Sequence, residues 1–179
     1  VVAFTGSQGG GRALFDAAAA RPEPIPVYAE MGSTNPVFVL PEAMAERGAQ
    51  IAAGYIQSVT LGTGQFCTNP GVMLVVEGPS LGAFLEAVSA AARAVAPSTM
   101  LTPGICTAFH SGLDHVRGTP GVSIVGESAN APDRSRSQAA CAIFRTDLAT
   151  IEARPHLWDE VFGPLSIVVV CPTADDLTR

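Results

Sequence analysis

The sequence contains no lysine, because all ten of its basic residues are arginines. Without a lysine side chain, this segment can form neither a lysine Schiff base nor a Walker-type phosphate loop. Long apolar runs are missing as well, since stretches such as 167–171 are far shorter than the roughly 20 residues that span a bilayer. The sequence therefore predicts no membrane segment, and no N-terminal pattern indicates a secretory leader.

Basic charge is scarce, and the net charge is −6 at pH 7. An acidic balance without a basic stripe argues against a nucleic-acid partner. The four cysteines, Cys67, Cys106, Cys141 and Cys171, show no Cys-x-x-Cys spacing. Neither a zinc ribbon nor a dithiol redox pair is indicated, and no metal site is predicted. Four reduced thiols fit a reducing cytosol, so we expect a cytoplasmic protein.

The length of 179 residues, 47% of them hydrophobic, suits one well-packed domain, or one domain with a fragment of another. The chain opens with Val1-Val2-Ala3-Phe4, without Met and as if inside a strand. From this opening we expect a piece of a longer polypeptide.

Strands and helices alternate along the predicted elements. Strands are predicted at 1–5, 27–30, 36–40, 72–76, 122–126, 141–145 and 166–171, and helices at 12–20, 42–61 and 81–96. Pro22, Pro24 and Pro26 end the first helix and form a stiff connector. This alternation predicts an α/β fold with a parallel or mixed sheet flanked by helices.

Cys67 lies in the run Gly64-Gln65-Phe66-Cys67-Thr68-Asn69-Pro70-Gly71. Its two outer glycines let the backbone bend and approach a ligand closely, and N–H groups released by such a bend can face an oxyanion beside the sulfur. From the local sequence alone, Cys67 is either a catalytic thiol or a small buried side chain. For Cys106, Cys141 and Cys171 the sequence favours a structural, buried role.

Glu30 ends an apolar stretch just before a turn, in Ala29-Glu30-Met31-Gly32-Ser33-Thr34-Asn35-Pro36. Its apolar neighbours predict partial burial, which would suit a general base. A solvated surface carboxylate is the alternative interpretation. A nucleophile and an acid/base, each at the end of an element, are what covalent acyl chemistry requires.

Four short motifs resemble those of the aldehyde dehydrogenase superfamily. They are Phe4-Thr5-Gly6-Ser7, Glu30-Met31-Gly32-Ser33, Gly64-Gln65-Phe66-Cys67 and Glu160-Val161-Phe162-Gly163-Pro164. They occur in the family's order and together cover nearly the whole chain. The variants around Glu30 and Cys67 are most similar to the branch that oxidises 2,5-dioxopentanoate (α-ketoglutarate semialdehyde), and a related branch acts on fatty aldehydes.

The resemblance implies the aldehyde dehydrogenase catalytic-domain fold and the NAD(P)-dependent oxidation of an aldehyde to the acid. Residues 1–28 would be the tail of the coenzyme-binding domain with its connector, and 29–179 a catalytic domain incomplete at its C-terminus. Cys67 would be the nucleophile, and Glu30 would activate the hydrolytic water. The full-length protein would be a homo-oligomer, and this segment alone would be inactive.

The resemblance also implies a set of coenzyme-binding residues. Glu160 would bind the nicotinamide ribose hydroxyls, and Phe162 would pack near the nicotinamide. Gly6 and Ser7 would end a strand of the coenzyme domain, where a helix N-terminus can meet a phosphate. Local sequence alone explains Gly6 and Ser7 as a strand end and a helix cap, and Glu160 as a solvated charge. The choice between NAD and NADP stays open, because the segment that discriminates them lies outside this sequence.

Two further functions remain open at this point. A cysteine hydrolase or acyltransferase would pair Cys67 with His110, His115 or His156, although no sequence feature brings a histidine to Cys67 and each is more simply a surface or structural side chain. A non-enzymatic role in folding or assembly is the other alternative. Dependence on a nicotinamide nucleotide separates the dehydrogenase from both.

Overall fold

The computed structural model describes residues 1–178, which divide into two compact units, Val1–Ser33 and the chain from Thr34 onward. The predicted domain boundary lies earlier, between residues 28 and 29. The division falls after Ser33 because the strand that carries Glu30 pairs with the first strand of the chain.

The first unit is a strand, a helix and a second strand: β1 (Val2–Thr5), α1 (Gln8–Ala19) and β2 (Val27–Glu30). The two strands pair in parallel, so that Thr5 lies opposite Glu30. Ser7 caps the helix as predicted, because its Oγ accepts the N–H of Gly10 at 3.2 Å.

The second unit is built on a five-stranded sheet. Its strands are β3 (Val37–Val39), β4 (Val72–Val76), β6 (Ser123–Glu127), β8 (Ala142–Asp147) and β9 (Leu165–Cys171), and a separate short pair consists of β5 (Ser98–Thr99) and β7 (Gln138–Ala139). The strand order is β3-β4-β9-β8-β6. Strands β3, β4, β9 and β8 run parallel, whereas β6 is antiparallel to β8. The predicted α/β fold with a mixed sheet is therefore confirmed.

Helices cover both faces of this sheet. They are α2 (Pro41–Thr60), α3 (Leu81–Ala94), α4 (Pro103–Gly118) and α5 (Leu148–Ala153). Alternate residues of β4 enter different cores: Val72 and Leu74 pack with α4 and α5, while Met73 and Val75 pack with α2 and α3. Every residue of β4 and β9 is buried, as expected for parallel strands covered on both sides.

Helix α4 is an element that the sequence analysis missed. Thr102 caps it, since its Oγ1 accepts the N–H of Ile105 at 3.2 Å, and Pro103 occupies the first helical position. Its inner face consists of Cys106, Phe109, His110, Leu113 and Val116. Among residues 1–178, no helix combines the length and apolar character needed to cross a bilayer.

Candidate active site

The topology brings two of the sequence motifs to one edge of the five-stranded sheet. The cysteine motif precedes β4, and the motif at 160–164 precedes β9. These strands are adjacent and parallel, with Val72 opposite Ile167. The segments that enter them must therefore meet at the amino ends of both strands.

A left-handed turn leads from α2 into the cysteine loop. Helix α2 is followed by a short 3₁₀ segment, Leu61–Gly64, in which Thr63 and Gly64 have φ angles of 61° and 67°. This conformation costs energy at a residue with a Cβ. Buried Thr63 is held in place because its Oγ1 contacts the Ser98 hydroxyl at 2.8 Å.

At Gly64 the backbones of the two motifs approach each other closely. A Cβ built on it would lie 2.5 Å from the Pro164 nitrogen, and closer still to the carbonyl group of Gly163. Only glycine satisfies both this contact and the positive φ angle.

Replacing Gly64 with alanine should destabilise the protein by roughly 3 kcal/mol or more, since the new methyl group meets backbone atoms and the φ angle is strained. The matched control is Gly54→Ala on α2, where a Cβ meets nothing within 4 Å. We expect Gly54→Ala to be neutral or stabilising by about 0.5–1 kcal/mol. Urea unfolding of both variants measures the difference, and equal midpoints would show that Gly64 does not need to be glycine.

Cys67 lies in a tight turn on the exposed side of this loop. The N–H of Asn69 donates to the carbonyl of Phe66 at 3.0 Å, so Cys67 and Thr68 occupy the centre of the turn. Cys67 is exposed, as are Phe66 and Thr68 on either side of it. The interpretation of Cys67 as a small buried side chain is therefore wrong.

The other three thiols are buried, as predicted. Burial, followed by the nearby charge of Glu127, raises the pKa of Cys141 to about 12. Burial also raises the pKa of the Cys171 thiol, with the carboxylates of Asp176 and Glu152 adding to the effect. A raised pKa keeps a thiol protonated and poorly nucleophilic at neutral pH.

The motif that contains Glu30 continues into the second unit, where its last residues contact the cysteine loop. The Thr34 carbonyl accepts the N–H of Gly71 at 2.8 Å. Thr34 Oγ1 donates to the Trp158 carbonyl at 3.0 Å. The Nδ2 group of Asn35 donates to the Cys67 carbonyl at 2.7 Å. Thr34 and Asn35 thus connect the cysteine loop with the chain just before the motif at 160–164.

Gln65 supports the loop from the opposite side. Its Oε1 accepts the N–H of Leu101 at 2.9 Å, and its Nε2 donates to the Gly62 carbonyl at 3.0 Å. Because both ends of its amide are engaged with backbone, the Gln65 side chain contributes to the shape of the loop.

In the first unit, Glu30 is exposed, so the prediction of partial burial is wrong. Successive residues of a strand face opposite sides, and Glu30 shares its side of β2 with Tyr28, which is 69% exposed. The N–H of Gly6 donates to the Glu30 carbonyl at 3.0 Å, so the structure brings Gly6, Ser7 and Glu30 together at the ends of β1 and β2.

The remaining predicted residues lie in the segment before β9. Glu160 is exposed and Phe162 is half-buried. Gly163, three residues after Glu160, makes the contact with the cysteine loop. The structure therefore places the segment of Glu160 and Phe162 against the loop of Cys67.

The three histidines have partners away from the cysteine loop. His110 is buried on α4, with Nε2 at 3.0 Å from the Gln138 carbonyl. The His115 and His156 rings contact each other edge to face at 4.6 Å, and His156 Nε2 is 3.2 Å from Thr119 Oγ1. None of these contacts involves residues 61–71, and they agree with the structural interpretation of the histidines.

The described part of the chain contains no set of side chains arranged to bind a metal ion. Across residues 1–178, no three or more His, Cys, Asp or Glu side chains come together in a group able to hold an ion.

The sequence analysis overlooked two asparagines that fix the loop, Asn35 and Asn69. Both precede a proline, in Asn35-Pro36 and Asn69-Pro70. Asn-Pro pairs favour turns and restrict the preceding residue. That local signal could have marked both positions, although not their contacts.

Comparison with known proteins gives three similarities. The model of the aldehyde dehydrogenase family matches residues 1–106. The chain is 46% identical over 179 residues to alpha-ketoglutaric semialdehyde dehydrogenase 2 of Azospirillum brasilense, covering 99% of the chain and 34% of that relative. It is 40% identical over 167 residues to alpha-ketoglutaric semialdehyde dehydrogenase of Acinetobacter baylyi, covering 93% of the chain and 31% of that relative.

A solved structure supports the fold. The gamma-glutamyl-gamma-aminobutyraldehyde dehydrogenase of Burkholderia cenocepacia superposes with a TM-score of 0.77 at 23% identity, over 97% of this chain and 36% of that one. At this identity the likeness concerns the fold alone. The chain spans about a third of the length of the curated relatives it matches.

Proposed function

The chain belongs to the aldehyde dehydrogenase family, and we propose that the protein oxidises an aldehyde to the carboxylic acid with NAD(P) as hydride acceptor. The observation that carries this proposal is the position of Cys67. It is an exposed thiol in a tight turn that is hydrogen-bonded to both other motif segments of its unit, through the Cys67 carbonyl and through the Asn69 side chain. Such a turn holds a nucleophile in place while leaving its sulfur accessible.

Cys67 has the role of the nucleophile in this proposal. Its thiolate adds to the aldehyde carbon to give a thiohemiacetal, and the Cys67 N–H stabilises the resulting oxyanion. Loss of hydride from that carbon leaves a thioester on Cys67. Water, deprotonated by Glu30, then attacks the thioester and releases the acid and the thiolate. Dividing the oxidation in this way replaces one difficult step with two easier ones.

The residues that would hold the coenzyme are Gly6, Ser7, Glu160 and Phe162. Helix α1 begins at Gln8 and continues with Gly9, Gly10 and Gly11, and three glycines in succession leave room for an anion near the N–H groups of its first turn. The exposed carboxylate of Glu160 can accept hydrogen bonds from ribose hydroxyls. These features fit a nicotinamide nucleotide, which when bound supplies the hydride acceptor for the oxidation. We assign the discrimination between NAD and NADP to no residue of this segment.

For the substrate we propose 2,5-dioxopentanoate, which the reaction converts to 2-oxoglutarate. The support is the resemblance around Glu30 and Cys67 and the names of the two curated relatives. The fatty-aldehyde branch is the alternative. Homo-oligomerisation of the full-length protein and a cytoplasmic location remain predictions from the resemblance and from the reduced thiols.

The substrate proposal predicts that kcat/KM for 2,5-dioxopentanoate exceeds that for pentanal by more than about tenfold, because a site built for a carboxylate loses its polar contacts with a substrate that lacks one. Pentanal is the matched control, since it has the same number of carbon atoms. NAD(P)H formation by the full-length protein measures both values. A higher kcat/KM for a long-chain alkyl aldehyde would assign the protein to the fatty-aldehyde branch.

A further inference from the structure

Asn69 is a buried polar side chain in an otherwise exposed turn. It is only 8% exposed, although the three residues before it are exposed. Its Nδ2 group donates to the Gly64 carbonyl at 3.1 Å and to the Gly163 carbonyl at 2.8 Å. Both amide hydrogens are therefore bound to backbone oxygens, one in the cysteine loop and one in the segment that follows Glu160 and Phe162.

The amide oxygen of Asn69, unlike its amide nitrogen, makes no hydrogen bond among the described residues. This oxygen, Oδ1, is also buried. Burying a polar atom without a partner costs free energy. The reverse orientation of the amide would place its oxygen against two carbonyl oxygens. The contribution of Asn69 is thus the donation of two hydrogen bonds.

The hydrogen bond from Asn69 to Gly163 connects two segments of the chain and is not needed to give the buried Gly163 carbonyl a partner. The Gly163 oxygen also accepts the N–H of Leu165 at 2.8 Å. It would keep this partner if Asn69 were removed. What would be lost is the side-chain connection between the two segments.

Asn69 and Asn35 also fix the direction of the peptide groups at Cys67. The Asn69 N–H binds the Phe66 carbonyl, and Asn35 Nδ2 binds the carbonyls of Cys67 and Asn69 at 2.7 and 3.0 Å. In a planar trans peptide the N–H points opposite to the carbonyl of the preceding residue. The N–H groups of Cys67 and Thr68 are therefore directed away from these inner bonds.

We propose that Asn69 is a positioning residue, which sets the place of the Cys67 thiol relative to the segment of Glu160 and Phe162 by binding the carbonyls of Gly64 and Gly163. This inference rests on the proposed function, because the consequence of misplacement is slower hydride transfer from the substrate held on Cys67. A displacement of about 1 Å can lower a rate roughly 10²-fold.

The test compares three variants of the full-length protein. Asn69→Ala removes the side chain, and Asn69→Asp keeps its size but replaces the donor nitrogen with oxygen. Asn130→Ala makes the same chemical change at an exposed loop position and serves as the control. Rapid mixing with aldehyde and NAD(P) measures the rate constant and the amplitude of the first NAD(P)H formed.

We expect both Asn69 variants to lower the rate constant of the first turnover roughly 10²-fold while keeping an amplitude of about one NAD(P)H per folded site, and the control to match the wild type. Lower amplitude with an unchanged rate constant would mean that Asn69 only maintains the fold, and would overturn the inference. So would a wild-type rate constant for Asn69→Asp, since shape rather than donation would then suffice. A wild-type protein that forms no NAD(P)H would refute the proposed function itself, whereas wild-type turnover with unaffected Asn69 variants would refute this inference alone.

Discussion

Replacing Cys67 with alanine should abolish aldehyde oxidation, with a fall in kcat of roughly 10⁴- to 10⁶-fold, the scale on which loss of a covalent nucleophile acts. The protein should remain folded, because Cys67 is exposed and contributes nothing to either core. The control is Cys106→Ala, which removes a buried thiol on α4 and should keep its activity per folded molecule.

Alkylation tests the proposed role of Cys67 without a mutation. Brief treatment of the native full-length protein with iodoacetamide should modify Cys67 first and remove activity in proportion, because Cys106, Cys141 and Cys171 are buried. Peptide mass spectrometry identifies the modified thiol. Preferential labelling of a buried cysteine with activity retained would show that Cys67 is not the nucleophile.

Replacing Glu30 with glutamine should slow steady-state turnover by roughly 10²–10⁴-fold, as loss of a general base does. Glutamine cannot deprotonate the hydrolytic water, whereas hydride loss from the thiohemiacetal does not need that base. A single burst of NAD(P)H, at most one per site, should therefore precede a stalled acyl adduct on Cys67. Intact-protein and peptide mass spectrometry detect the adduct.

The matched control is Glu23→Gln, an exposed carboxylate in the same unit as Glu30, which should turn over at the wild-type rate. A Glu30→Gln enzyme as fast as the wild type would exclude Glu30 as the base. A folded, coenzyme-binding variant without burst or adduct would instead place the role of Glu30 at or before hydride transfer.

Buried parallel strands are the part of this fold that the sequence predicts best. Strand β4 is predicted at 72–76 and found at Val72–Val76, because a short apolar run between turn residues has few other interpretations. Helix α2 is likewise predicted at 42–61 and found at Pro41–Thr60. In both elements, local composition and tertiary burial agree.

Helix α4 has helical periodicity in its sequence, but its proline and glycines favour a loop. Pro103, Gly104 and Gly112 read as loop residues, since glycine is a poor helix former. Yet its buried residues recur at helical spacing, and Thr102 followed by proline is a typical helix start. The periodicity was the better guide, because packing against the sheet outweighs the cost of the glycines.

The candidate site divides in a similar way. Short motifs mark Cys67, Glu30 and Glu160 as candidate residues, whereas the contacts of Asn69 depend on the pairing of β4 with β9, which no local pattern encodes. The predicted burial of Glu30 failed because neighbouring apolar residues in sequence do not cover a side chain that faces the other side of the strand. Local sequence thus suggests candidate residues here, but it does not give their surroundings.

The pairing of β4 with β9 also determines when the cysteine loop can reach its final conformation during folding. Asn69 and the Gly163 carbonyl are 94 positions apart in the chain. The segment between them must close on itself before their bond forms, and such distant closures are slow steps of folding. During synthesis the ribosome releases Cys67 long before it makes the strand that holds its turn. Cys67 is therefore synthesised early, but its loop reaches its final form only after β9 has filled the centre of the sheet.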